Sequence, residues 1–243
     1  MPLLEELESE GNFLFKRRSF LPIILLVVAL AVYLMNGEAI NYGLFITSLV
    51  ISLIGLLIRV HIVGHTPKNT SGRNTAEGQV ADTVNKTGFY SIVRHPLYLG
   101  NFFMYMGFAV ISGNIWFVVT CILAFWVYYE RIMIAEEEFL RDKFGEQYTS
   151  WASVTPPFIP AFGNWTKPSL TFSLKKVLKK EKNGLFAVFV IFLVFLTLKQ
   201  YQLTERWVQP IEWMFYATIF TGVLYFILKY LKSKTKVLDE EDR

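Results

Sequence analysis

The chain has 243 residues, of which 53% are hydrophobic, 16% aromatic and only 18% charged, and its formal net charge is +4. That balance is too apolar for an ordinary soluble domain of this length, and the modest positive charge reads as attraction to anionic lipid headgroups rather than to nucleic acid. A single cysteine, Cys121, rules out an intrachain disulfide, and its apolar flanks mark it as a packing residue.

Six apolar runs follow one another: Ser19 to Met35, Ile40 to Ile58, Leu97 to Ile111, Ile115 to Tyr129, Leu185 to Leu198 and Ile211 to Leu228. Each is near or just below the roughly 20 residues that carry a helix across hydrocarbon. The first follows Lys16, Arg17 and Arg18 as a signal peptide would, but it ends in "NGEAINYG" without a small-residue cleavage pattern, so it is expected to be a retained helix. The fifth has an uncharged core of only 14 residues, which a snorkelling Lys199 would lengthen. The expected fold is therefore all-α, a multi-pass transmembrane helical bundle of about six spans forming one integral membrane domain over residues 1–243.

Lysine and arginine are concentrated in the N-terminal arm, in the loop from Thr66 to Arg94 and in the linker from Ala161 to Asn183, and are absent from the turns at Asn36 to Asn41 and Ser112 to Asn114. The positive-inside bias then puts both termini in the cytoplasm, at the inner membrane in a bacterium, with Lys199 and Arg206 as mild exceptions. Between the second and third spans, Thr66 to Thr87 is a polar loop of about twenty residues, a length that binding loops and plain connectors share. The third span is expected to start at Pro96, which suits the first helical position, with His95 just outside. After the fourth span the helix runs on as "ERIMIAEEEFLRDKF" to a stop at Gly145, and Pro156, Pro157 and Pro160 close the region. Residues 161–183 are expected to be a basic linker holding an interfacial helix, "LTFSLKKVLKK", and residues 184–230 two further spans. No internal repeat is evident.

The chemistry concentrates in "YSIVRHPLYLGN", Tyr90 to Asn101. A helix beginning at Pro96 leaves backbone N–H groups free to attract an anion, with Arg94 and His95 beside them; the alternative is a headgroup anchor and a helix cap. The short "SGN" turn makes the third and fourth spans antiparallel neighbours, so Glu130, Arg131, Glu136, Glu137 and Glu138 converge on the same end. The three successive glutamates cannot face one way, because neighbours differ by about 100° around a helix.

Together, "TGFYSIVRHPLYLGN" and "ERIMIAEEEFLRDKFGEQYTSWASVTPPFIP" resemble the paired motifs of the isoprenylcysteine carboxyl methyltransferase and phospholipid methyltransferase superfamily, over about Thr83 to Pro160. The resemblance implies a methyltransferase-like core at 19–160, with motifs at 83–160, that uses S-adenosylmethionine in a cytoplasmic-side pocket without a Rossmann domain. It implies that Tyr90, His95, Pro96, Leu97 and Tyr98 hold the cofactor, that Glu136 accepts from its ammonium group, and that Asp82, Thr83, Val84 and Asn85 wrap its adenosine end. Arg131 resembles the arginine that orients the acceptor, although it precedes Glu136 by five residues where about one turn is expected. The implied acceptor is a membrane lipid or lipid-linked molecule: an isoprenylcysteine carboxylate, a lipid phosphate or a lipid amine.

Three other readings stay open on the sequence. A sterol-type reductase using NADPH shares a related membrane core. His61 and His65, spaced i to i+4, would offer a metal two ligands, although three histidines in all are too few for a histidine-rich di-iron site. A scaffold or transporter is the third, and the inverted repeats that mark many transporters are not seen.

Overall fold

The computed structural model describes residues 2–18, 20–68, 73–75, 78–208 and 211–240. Among these are eight α-helices: α1 (Pro2–Lys16), α2 (Phe20–Met35), α3 (Tyr42–His65), α4 (Pro96–Val110), α5 (Ile115–Phe144), α6 (Glu146–Ala152), α7 (Leu174–Thr204) and α8 (Glu212–Lys234). Six apolar helices stand where six spans are expected. Four of them, α3, α5, α7 and α8, are long and apolar enough to cross a bilayer. The other two, α2 and α4, have 16 and 15 residues, short of the roughly 20 needed at 1.5 Å per residue. Large outward side chains such as Val27, Leu57, Trp116, Phe220 and Phe226 are each more than 60% exposed, as the lipid-facing side of an integral membrane protein requires.

Lipid tails are as apolar as leucine, so helices in a membrane associate through close fit and hydrogen bonds. The seam between α3 and α4 shows this. A methyl group at Gly107 would overlap the Ser52 hydroxyl and the Ser48 carbonyl, and one at Gly55 would overlap the backbone at Gly100 and Met104. The two backbones therefore touch, and Ser52 donates to the Met104 carbonyl at 3.0 Å. On either side of this seam lie two cores. Phe45, Leu49, Phe108, Phe192 and Leu196 belong to the one joining α3, α4 and α7. Phe15, Tyr98, Phe125, Tyr129 and Phe158 form the other, on the α1 and α5 side, with Phe125 and Tyr129 stacked at 4.1 Å between centroids.

Several local expectations change. The N-terminal arm is the helix α1, whose residues Leu4, Leu7, Gly11, Leu14 and Phe15 recur at helical spacing and turn toward α5. The basic stretch at Lys175 to Lys182 is not a separate interfacial helix but the first turns of α7, capped by the Ser173 hydroxyl accepting from Lys176 N. Lys199 does not snorkel outward. It is 1% exposed and donates to the carbonyls of Tyr33 and Asn36, closing the last turn of α2. The loop after α3 includes a small antiparallel pair, β1 (Arg73–Thr75) with β2 (Gly78–Val80), and residues 69–72 and 76–77 of the expected loop lie outside the described residues.

Candidate active site

α4 begins at Pro96, which supplies a preset φ and no N–H where no helical partner exists, and His95 stands at the N-cap without a side-chain cap bond. Its position is fixed from behind. Arg94 N donates to the Pro156 carbonyl at 2.9 Å and His95 N to the Pro157 carbonyl at 3.2 Å, while Trp151 Nε1 donates to the Tyr90 carbonyl at 3.1 Å. The prolines that end the region after α6 thus offer carbonyls to the stretch that leads into α4.

The three glutamates of α5 diverge as helix geometry demands. Glu138 turns outward to Arg141 at 2.9 Å. Glu137 takes the Arg94 guanidinium at 2.9 Å and His95 Nε2 at 2.8 Å. Glu136 accepts from the Tyr98 hydroxyl at 2.7 Å and lies 3.4 Å from His95 Nδ1. Both nitrogens of one buried imidazole therefore face carboxylates, and the Tyr98 ring is stacked on it at 5.7 Å between centroids.

Burial works to lower the pKa of His95, but the hydrogen bonds and charges of Glu136 and Glu137 outweigh it, and the net shift is upward. A histidine pKa raised on folding adds stability that is complete below the ordinary value of about 6.5 and is lost as pH climbs through the raised one. Thermal melting of the purified protein in nanodiscs should therefore show the wild type losing ground against His95→Gln as pH rises above that ordinary value. Parallel melting curves would mean that His95 is not charged there. Outside the membrane, burial and then the charge of Glu137 push the Tyr148 phenol of α6 upward, so it stays protonated beside this cluster.

A cavity of about 810 Å³ opens in front of these residues, within the range of pockets that enclose small molecules. Tyr90, His95, Pro96, Leu97, Tyr98 and Glu136 all line it, and so do Val84 and Asn85. Asp82 and Thr83 are not among the lining residues. Nor is Arg131, which pairs with Glu130 at 2.9 Å and with Glu10 of α1 at 3.6 Å. The physical reason is rotational, since five residues turn a helix by about 140° from Glu136. Tyr129, seven residues before Glu136 and so on nearly the same face, lines the cavity instead.

A second polar group on the cavity lining was not anticipated. Arg59, just past the second apolar run, reaches Glu181 of α7 through Nε at 2.9 Å and a second nitrogen at 2.8 Å, and it donates to Asn101 at 2.7 Å. Asn101 continues to the Tyr129 hydroxyl at 3.4 Å. The available signal was an arginine at the end of an apolar helix, which asks for a partner. The histidine pair behaves differently: His61 and His65 lie 4.7 Å apart between rings, but His65 Nδ1 is engaged with the Leu170 carbonyl at 2.9 Å. Among the described residues no group of three or more histidine, cysteine, aspartate or glutamate side chains comes together to hold a metal.

Comparison with known proteins bears on the same segment. The family model described as phospholipid methyltransferase matches residues 44–147. Among curated proteins, the chain is 32% identical over 73 residues to the protein-S-isoprenylcysteine O-methyltransferase of Schizosaccharomyces pombe, covering 30% of this chain and 31% of that protein. It is 31% identical over 83 residues to the cobalt-zinc-cadmium resistance protein CzcN of Cupriavidus metallidurans, covering 34% and 38%. It is 33% identical over 90 residues to the nickel-cobalt-cadmium resistance protein NccN of Alcaligenes xylosoxydans xylosoxydans, covering 37% and 39%. The chain thus spans between 31% and 39% of the length of these curated relatives. No solved structure matches it.

Proposed function

We propose that this integral membrane protein, whose residues 44–147 match the phospholipid methyltransferase family model, transfers a methyl group from S-adenosylmethionine to a lipid or lipid-linked acceptor. The observation that carries the reading is the cavity wall made by Tyr90, His95, Pro96, Leu97, Tyr98 and Glu136 inside the matched segment. These residues fit the cofactor's chemistry: a carboxylate at Glu136 for an ammonium group, the Leu97 N–H at the start of α4 for a carboxylate, since those of Tyr98 and Leu99 donate to the His95 carbonyl, and the faces of Tyr98 and Tyr129 for a cation. Bound there, the cofactor would supply an activated methyl on a sulfonium, and the chain's own part is to position the two reactants and to exclude water. His95, held between two carboxylates, keeps Glu136 aimed at the cavity. The acceptor-orienting role expected of Arg131 falls in this reading to Arg18, which lines the cavity and stacks over Phe15 at 4.2 Å, while Arg131 joins α1 to α5. A carboxylate or lipid phosphate acceptor is already anionic and needs no general base, whereas a lipid amine must first give up a proton before its lone pair can take the methyl. The lysine-rich ends of α7 and α8 and both termini face the cytoplasm, from which the cofactor enters, and the acceptor enters from the bilayer.

Calorimetry on the full chain in nanodiscs is the test. Binding of S-adenosylmethionine or its demethylated product, without binding of NADPH, is the expected result, and Arg18→Ala should bind the cofactor normally while incorporating about tenfold less labelled methyl into membrane lipid. Tight NADPH binding with no affinity for S-adenosylmethionine would establish the reductase reading instead.

A further inference from the structure

The mouth of the cavity is built by a segment outside residues 44–147. Lys175, Lys176, Lys179, Lys180 and Lys182 crowd the start of α7 with one carboxylate among them, Glu181, which is committed to Arg59. The end of α8 adds Lys229, Lys232 and Lys234, followed by Lys236. Lys176, Lys179, Lys180 and Lys232 line the cavity, and the charges of Lys232, Lys180 and Lys179 all act on Lys182. Like charges gathered at one opening repel, and an anion seated among them removes that repulsion.

The chain supplies such an anion itself. Directly after Lys236 the sequence becomes "VLDEED". Leu238 is 6% exposed and lines the cavity together with Glu240. Asp239 pairs with Lys179, and Glu240 accepts from the hydroxyl of Ser173, the buried N-cap of α7. The bond and charge of Lys179 hold the Asp239 carboxyl below its ordinary range. Two acidic residues and one apolar residue are thus seated at a lysine-lined opening, only a few residues beyond the end of α8. So short a tether gives the tail a high local concentration, which lets individually weak contacts keep it in place.

We propose that the α7–α8 end of the cavity is a subsite for a phosphate group, with the Asp239–Glu240 tail as its resident competitor, so that a phosphate opens the mouth by displacing these carboxylates. A terminal phosphate, as a monoester or as the free ion, offers more charge and more acceptor oxygens than either carboxylate, which a phosphodiester does not, and lysines together with a hydroxyl at a helix N-cap suit it. The subsite goes beyond the methyl-transfer reading and uses no step of it.

The test follows the tail directly. A spin label at Val237→Cys, a position 57% exposed, in a Cys121→Ser background reports its mobility in nanodiscs of phosphatidylcholine alone or of equal parts phosphatidylcholine and phosphatidic acid, whose phosphate is a terminal monoester. In phosphatidylcholine the tail should be held, and Asp239→Asn with Glu240→Gln should raise the released fraction about fivefold or more. Lys179→Gln should do the same without altering the tail. Phosphatidic acid, or inorganic phosphate added to phosphatidylcholine discs, should release the wild-type tail to the level of the double variant; release by the lipid alone assigns the subsite to a headgroup, and release by both assigns it to any terminal phosphate. Equal mobility of wild type and variants, or a tail indifferent to both anions, overturns the proposal. Methyl transfer is not read, so a chain that releases its tail yet binds no S-adenosylmethionine would refute the function and leave the subsite standing.

Discussion

Glu136→Ala is expected to lower the affinity for S-adenosylmethionine by about 10²-fold, with the protein still inserted in the membrane. Among the described residues three carboxylates line the cavity, and two of them pair away from the α4 wall: Glu181 with Arg59, and Glu240 with Ser173 at the mouth. Glu136, held by the Tyr98 hydroxyl and His95, is the carboxylate that would meet the ammonium group in the proposed reading. Its removal also takes the acceptor from the Tyr98 hydroxyl and one carboxylate from His95, so a buried donor loses its partner along with the ligand contact. Glu136→Gln keeps an oxygen for Tyr98 and should fall between wild type and alanine. His95→Ala works differently, because it leaves Glu136 and Glu137 adjacent without the cation that separates them, and the weakened aim of Glu136 should reduce binding less than its loss. Calorimetry in nanodiscs measures all three, with membrane insertion checked by protein recovery in the lipid fraction. Wild-type affinity in Glu136→Ala would remove this carboxylate from the cofactor site.

The sequence carried the elements of this wall further than their arrangement. Pro96 announced the start of α4 because its ring fixes φ and lacks an N–H, and Gly145, at φ +52°, ends α5 because a positive φ suits glycine. The hairpin of α4 and α5 followed from a turn too short for any other arrangement. Which glutamate lines the cavity was not legible from helix spacing alone, since three adjacent residues differ only in rotation and the phase of α5 is set by how Phe125, Tyr129 and Met133 pack; it was the family resemblance that singled out Glu136, which does line it. Arg131 shows the same limit: its residue type fitted an anion-binding role, while its angle on α5 directs it to Glu130 and to Glu10 on α1, a helix not expected from an arm rich in glutamate. Long-range partners were hidden for another reason. Arg59 and Glu181 are 122 residues apart, and nothing local in either segment names the other.

That pair carries the last expectation. Glu181→Ala should destabilise the protein by about 3–5 kcal/mol, since it leaves the Arg59 guanidinium between α3, α4 and α7 without a counter-charge. Glu181 has a side chain only 5% exposed and takes two parallel hydrogen bonds, so water cannot replace it cheaply. Arg59→Met combined with Glu181→Leu removes both charges and keeps apolar volume, and it should cost far less than the sum of the single changes. Denaturant unfolding in detergent, run as a double-mutant cycle, measures the coupling; strictly additive losses would show that the two side chains do not depend on each other. The cycle also separates stability from site geometry. Arg59 holds Asn101, and Asn101 reaches Tyr129 on the cavity wall, so the double variant should regain most of the stability while its cofactor affinity stays below wild type. If stability and affinity recover together, the guanidinium serves only to join α7 to α3 and α4, and the chain through Asn101 does not shape the cavity.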